Sequence, residues 1–389
     1  MTSKSNWNYP TTIWFGNGRI QEIVVGCELL GIKRPLFVTD EGLVNLDIVQ
    51  NCLDITNQSS LTINTYSNVK GNPTGENVLG GLEIFNSGEF DGVIAFGGGS
   101  ALDAAKTIAF MANQDRPLWD FEDIGDNWRR ANLEGMIPVI AVPTTAGTGS
   151  EVGRAAVITD EEAKSKKIIF HPSMMPEIVI ADPELTVGLP PNLTAWTGVD
   201  ALTHSIEAFF APGYHPMADG IAVEAIKLIN KYLPVAYNDP TNLKARGQML
   251  TASAMGAVAF QKGLGSIHSV AHQLGALYDV QHGLANAILL PFGIKQNASV
   301  LDDKANYLCS VLNILDNGVD GLINHLLDFR KQLGIPENLS EIGINNTDAD
   351  RIGEMAFNDP STPTNAKSVD ASDLRRLFLA AQQGVLTDL

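Results

Sequence analysis

The chain has 389 residues, 44% hydrophobic and 18% charged, with a formal net charge of -18. That length exceeds what one hydrophobic core usually serves, so two domains are expected, and the composition is that of a folded, soluble enzyme. The acidic balance argues against nucleic acid or an anionic membrane as partner, since both need a basic footprint, and no apolar run approaches the roughly 18–20 residues that span a bilayer.

Met1 to Asn8 is polar and lacks the apolar core of a signal peptide. Cys27, Cys52 and Cys309 are widely spaced and form no CxxC pair. They read as reduced thiols in a cytoplasmic protein. The first half then alternates. Short buried strands are predicted over Pro35–Asp40, Leu61–Tyr66, Asp91–Phe96 and Ile137–Val142, with helices between them such as Asn77–Asn86 and Ala101–Ala112. Strands alternating with helices imply βαβ units, a parallel sheet, and ligands bound beyond the carboxyl ends of the strands. Asp40, the Gly97-Gly98-Gly99-Ser100 cluster and Thr144 all fall at such ends.

A strand, a glycine cluster and a helix together present backbone N–H groups and a positive helix end to a phosphate. Ser100 is expected to cap that helix and donate to a phosphate oxygen. The bland alternative is a tight strand-to-helix turn, because the pattern is not GxGxxG. Asp40 is placed to accept from an adenosine ribose, which favours NAD over NADP; a helix N-cap is the compatible alternative. The segment PTTAGTGSE (143–151) is too small and polar to fill a core and suits wrapping a polar ligand.

Leu189-Pro190-Pro191 punctuates the chain, and from Thr194 onward the apolar spacing is mostly 3 and 4. The expected division is therefore an α/β dinucleotide-binding domain over 1–189 and an all-helical domain over 190–389. Helices are expected near 195–211, 218–234, 242–260, 264–277 and 283–297. Of seven His, five lie between residues 200 and 282. Asp200 and His204 are four apart, as are His268 and His272, which puts each pair on one helix face. With His282 they make five candidates for a divalent-metal site, and spacing alone does not choose among them. His171, His215 and His325 stand outside these motifs and read as structural or surface residues.

These residues resemble the iron-containing (group III) alcohol dehydrogenases. The likeness rests on VTDEGL (38–43), GGGSALDAAK (97–106), PTTAGTGSE (143–151), DPEL (182–185), GVDALTHSIEAF (198–209) and GLGSIHSVAHQLGALYDVQHGLANAILLP (263–291). The resemblance implies the dehydroquinate synthase-like fold, a dinucleotide-binding α/β domain followed by an all-helical one, and commonly a homodimer. It also implies Asp200, His204, His268 and His282 as metal ligands and His272 as a catalytic proton relay near the nicotinamide. Cofactor contacts carried over in the same way are Asp40, Gly97, Gly98, Gly99, Ser100, Asp103, Thr144, Thr145, Thr148 and Lys166. Asp103 has a first-turn, helix-dipole role as its alternative.

The implied reaction is reversible hydride transfer between a primary alcohol and NAD, with the metal as Lewis acid toward the substrate oxygen. Three imidazoles and a carboxylate suit Fe²⁺, the family's metal, or Zn²⁺, which the Irving–Williams order favours. Arg154, in VGRAAVI (152–158), is read as a clasp for the anionic tail of an ω-hydroxy acid; pairing with Glu151 or Asp160 is its alternative. Two rival classes are a sugar-phosphate cyclase of the dehydroquinate-synthase kind and a non-catalytic nucleotide sensor. The first needs several basic residues around the His cluster, where only Lys262 is available; the second has no need of that cluster.

Overall fold

The computed structural model describes Tyr9 and residues 11–389. Met1 to Asn8, with the reading made of it above, lies outside the described residues. The chain divides into two compact units, Tyr9–Leu189 and Pro190–Leu389.

The first unit is built on strands β1 (Thr12–Phe15), β2 (Pro35–Val38), β3 (Asn64–Tyr66), β4 (Gly92–Gly97), β5 (Val139–Pro143) and β8 (Ile178–Ala181). They form one parallel sheet in the order β1-β8-β5-β4-β2-β3. β2, β4, β5 and β8 are buried at every residue, as a parallel sheet covered on both faces requires. Helices α1 (Ile23–Leu30), α2 (Asp47–Asn57), α3 (Gly75–Ser87) and α4 (Gly99–Met111) supply the crossovers. An antiparallel hairpin, β6 (Ala155–Asp160) with β7 (Ser165–Phe170), stands apart from this sheet. β1, the hairpin and β8 were not anticipated above. Apolar β1 residues Ile13 and Phe15 are exposed, so an inward-facing hydrophobic pattern does not announce this edge strand.

The second unit is helical: α5 (Pro191–Phe210), α6 (Pro216–Asn238), α7 (Leu243–Ala259), α8 (Ser266–Tyr278), α9 (His282–Gln296), α10 (Asp302–Leu312), α11 (Gly318–Gln332), α12 (Ala349–Phe357) and α13 (Ala371–Gln383). Pro191 occupies the first turn of α5, where its missing N–H costs nothing. α5 packs against α6, α7 and α9 and is buried almost all round, the pattern of a central helix. The approach of α9 to α5 depends on Gly283, where a Cβ would lie 2.5 Å from the Trp196 carbonyl oxygen. Among the described residues no helix is long and apolar enough to cross a membrane.

Candidate active site

In the helical unit α5 contributes Asp200 and His204, α8 contributes His268 and His272, and α9 begins with His282. One donor atom from each of Asp200, His204, His268 and His282 lies within 4.8 Å of the others. Asp200 Oδ1 is 3.5 Å from His282 Nε2 and 4.0 Å from the Nε2 atoms of His204 and His268. His204, His268 and Asp200 are buried. A buried carboxylate facing three imidazole nitrogens, with no thiolate, is a donor set that fits one divalent cation.

His272 stands beside this group. Its ring stacks on that of His282 at 5.4 Å between centroids, and its Nδ1 is 2.8 Å from Asp359 Oδ2. Burial opposes the ionised form of Asp359, but His272 and the Ser361 hydrogen bonds outweigh it and hold this carboxyl below its usual range. The five His and Asp candidates thus separate by geometry into a group of four and a fifth imidazole backed by its own carboxylate.

Glu207, one face-turn beyond His204, was missed above. Its Oε2 is 2.6 Å from His268 Nδ1, and its Oε1 accepts from the Ile267 N–H. A carboxylate on the far nitrogen fixes the tautomer and leaves Nε2 with its lone pair. Burial works against a charged His268, but Glu207, Asp200 and Asp359 more than offset it and raise its pKa. The same acids favour a cation at Nε2. Asn286, one turn after His282, was also missed, as was Asp359. The spacings 200-204-207 and 282-286 carry a helical-face signal for the first two; Asp359, 87 residues from His272, carries none.

In the sheet unit the carboxyl ends of β2, β4 and β5 lie side by side, with Val38 opposite Ala95 and Gly97 opposite Pro143. Gly97 has φ 148°, and a Cβ there would lie 2.7 Å from that of Ala101. The Thr144 N–H donates to the Gly97 carbonyl. A Cβ on Gly98 would meet Thr145, and one on Gly99 would lie 2.5 Å from the Thr148 methyl. The two small-residue segments are therefore packed backbone to side chain. Asp40 follows β2; its Oδ1 accepts from the N–H groups of Gly42 and Leu43, and burial raises its pKa against those bonds.

One expectation and two alternatives change. Ser100 does not cap α4: Gly98 is the N-cap, and the Ser100 hydroxyl donates to the Gly71 carbonyl at 2.5 Å. Asp103 lies beyond the first turn and binds protein groups, accepting from the Ser150 hydroxyl and the Val157 N–H. Arg154 pairs with neither acid: Asp160 takes Lys167 at 2.9 Å, and the Arg154 guanidinium lies over the Phe170 ring at 5.6 Å. Among the described residues it enters no ion pair. On β7 the Lys166 amine reaches Asn72 Oδ1 at 2.8 Å, whereas Lys167 turns to Glu122 and Asp160.

Lys106 closes the GGGSALDAAK motif fully buried, its amine donating to the carbonyls of Ser150, Gly153 and Ala155. It thereby ties α4 to the segment that follows β5. Lys262, the basic residue a cyclase would use, is committed to the Phe209 carbonyl and to Asp219. His171 and His215 accept backbone N–H groups at helix starts, and His325 bonds Asn230, as structural histidines do.

Comparison with known proteins extends over both units. Residues 10–183 match the family model described as iron-containing alcohol dehydrogenase, and residues 194–382 match its C-terminal counterpart. The 4-hydroxybutyrate dehydrogenase of Cupriavidus necator is 36% identical over 380 residues, covering 95% of this chain and 98% of its own. The NAD-dependent methanol dehydrogenase of Bacillus methanolicus is 32% identical over 384 residues, covering 96% and 99%. A solved 1,3-propanediol oxidoreductase superposes with a TM-score of 0.92 at 33% identity, over 97% of this chain and 100% of that one. With the likeness running through the sheet unit and the helical unit alike, the chain belongs to the iron-containing alcohol dehydrogenase family.

Proposed function

We propose that this chain is a metal-dependent alcohol dehydrogenase that moves a hydride reversibly between NAD(H) and a primary alcohol or its aldehyde, with ω-hydroxy acids as the substrate class. The observation that carries the reading is the convergence of one carboxylate and three imidazoles from α5, α8 and α9. Asp200, His204, His268 and His282 hold the cation. Fe²⁺ is the metal we assign, with Zn²⁺ its competitor at such a donor set. Bound there, the cation supplies Lewis acidity toward the substrate oxygen, and NAD supplies the hydride acceptor.

The chain's own residues do the rest. Glu207 keeps the His268 Nε2 lone pair directed at the centre. His272, with Asp359 on its Nδ1, takes the alcohol proton and passes it on. Gly97, Gly98, Gly99 and Ser100 receive the pyrophosphate, Asp40 the adenosine ribose, and Asp103, Thr144, Thr145, Thr148 and Lys166 complete the cofactor contacts. The half-buried Asp40 carboxylate at the end of β2 supports NAD over NADP, since a 2′-phosphate there meets a carboxylate. Arg154 clasps the acid tail of the substrate; the activity of the Cupriavidus necator relative on 4-hydroxybutyrate, as its name states, supports that class.

A homodimer in the cytoplasm is the working form we assign. The exposed Ile13 and Phe15 on the sheet's edge strand support the first, and three free, buried cysteines support the second. The test is absorbance at 340 nm with NAD and a panel of linear alcohols, short diols and ω-hydroxy acids, on protein loaded with Fe²⁺ or Zn²⁺. Net NADH formation that disappears, together with bound metal, in His268→Ala is the expected result. NADH formation by metal-free His268→Ala protein overturns the reading.

A further inference from the structure

Asn286 is wholly buried on α9, one turn beyond His282. Its Nδ2 is 2.7 Å from Asp200 Oδ1 and 3.1 Å from both His268 Nε2 and His282 Nε2. One amide nitrogen therefore touches three of the four donors of the cation centre. Its other end is the opposite case: Asn286 Oδ1 is buried and, among the described residues, has no hydrogen-bond partner.

An asparagine kept for packing would satisfy both ends of its amide. Leaving the oxygen buried and unmet carries its full desolvation cost, and asparagine is a poor residue for a helix interior in any case. An alanine or leucine would remove both penalties, so packing gives no reason for the amide. The contacts of the nitrogen do. Neutral imidazole accepts at only one nitrogen. For His268 the Glu207 carboxylate on Nδ1 and the Asn286 N–H on Nε2 require the same tautomer, the one with its lone pair facing the centre.

We propose that Asn286 is a positioning residue of the cation centre: its two N–H groups, shared among the Asp200 carboxylate and the Nε2 lone pairs of His268 and His282, keep these acceptors aimed at one point. The inference rests on the metal-centre reading above. The amide takes up the lone pairs that a cation takes up when bound, so that Asp200 does not face the imidazoles uncompensated when the centre is empty.

The test uses full-length Asn286→Ala, Asn286→Leu and the isosteric Asn286→Asp. Dissociation constants for Co²⁺ and Zn²⁺ are measured by chelator competition, with the visible absorption of the Co²⁺ form as a report on ligand geometry. NAD binding checks the fold. Ala and Leu should bind Co²⁺ about 10- to 100-fold more weakly, with an altered Co²⁺ spectrum. Asn286→Asp, which sets two carboxylates against each other, should lower the melting temperature of the metal-free protein and enlarge the gain on adding Co²⁺. A residue that merely packs would change stability and leave the Co²⁺ spectrum alone. Unchanged spectra with dissociation constants within twofold of wild type overturn the proposal, as does an Asn286→Asp protein whose metal-free stability matches wild type. Failure of the unmodified protein to bind Co²⁺ or Zn²⁺ removes instead the metal-centre reading on which it rests.

Discussion

At the residue scale, charges buried in the sheet unit have consequences that can be measured apart from catalysis. Glu151 follows the hydroxyl-rich segment after β5 and is buried. Burial pushes its carboxyl up from 4.5 to about 7, against the pull of its own backbone hydrogen bond and of Lys106. Below pH 4.5 both folded and unfolded chains carry the proton. Between there and about 7 the unfolded carboxyl has ionised while the folded one still holds its proton, so stability falls as pH rises through that window. The loss is at most about 3 kcal/mol. Urea unfolding at pH 5 and at pH 7.5 should therefore differ less for Glu151→Gln than for wild type; an equal difference excludes Glu151 as the source. Arg154, which among the described residues enters no ion pair and sets its guanidinium over Phe170, gives a second residue-level prediction. Arg154→Ala should lose about 1.5–3 kcal/mol in kcat/KM on 4-hydroxybutyrate and much less on 1-butanol. Proportional losses on both substrates would assign the arginine to the fold.

At the scale of elements, the candidate centre is a product of helix packing, because its donors come from three helices and no one helix carries enough of them. Gly283 is the point where α9 meets α5. A methyl group there would lie 2.5 Å from the Trp196 carbonyl and 3.2 Å from the Asp200 Cβ, and a backbone oxygen cannot swing aside as a side-chain tip can. Gly283→Ala should therefore cost about 1–3 kcal/mol of stability, the usual range for overpacking. It should also weaken cation binding, because the displaced helix carries His282 and Asn286; unchanged Zn²⁺ affinity would show that the centre tolerates the shift. The same dependence on packing explains what was legible in the sequence. The long helices read well because their 3.6-residue period is repeated over several turns, and Asp200, His204, His268 and His272 read well because each pair is written within one helix. β1 was not seen, since it has four residues, pairs with a strand 166 residues away and turns apolar side chains outward. The partners of Lys106, at separations of 44 to 49 residues, and Asp359 beside His272 arise from tertiary contact, which no local pattern encodes.

At the scale of the whole molecule, the proposed cation centre would link metal to folding. Four donors brought together by α5, α8 and α9 exist as a set only in the folded chain, so a cation that binds them stabilises the folded state by mass action. At a free concentration one hundred times its dissociation constant the gain is about 2.7 kcal/mol, and it grows with the logarithm of concentration. The formal net charge of -18 complicates a naive experiment, because any divalent salt also relieves repulsion between exposed acids. The measurement therefore compares Zn²⁺ with Mg²⁺ at equal ionic strength, in wild type and in His204→Ala. Calorimetry of chelator-treated wild-type protein should show a melting temperature that climbs on adding micromolar Zn²⁺ and scarcely moves with Mg²⁺, a hard ion that prefers oxygen donors. In His204→Ala, which loses an imidazole and leaves the surface acids untouched, the Zn²⁺ response should shrink to that of Mg²⁺. Equal responses to the two ions in wild type would mean that the stabilisation comes from surface charge and that the buried donors hold no metal.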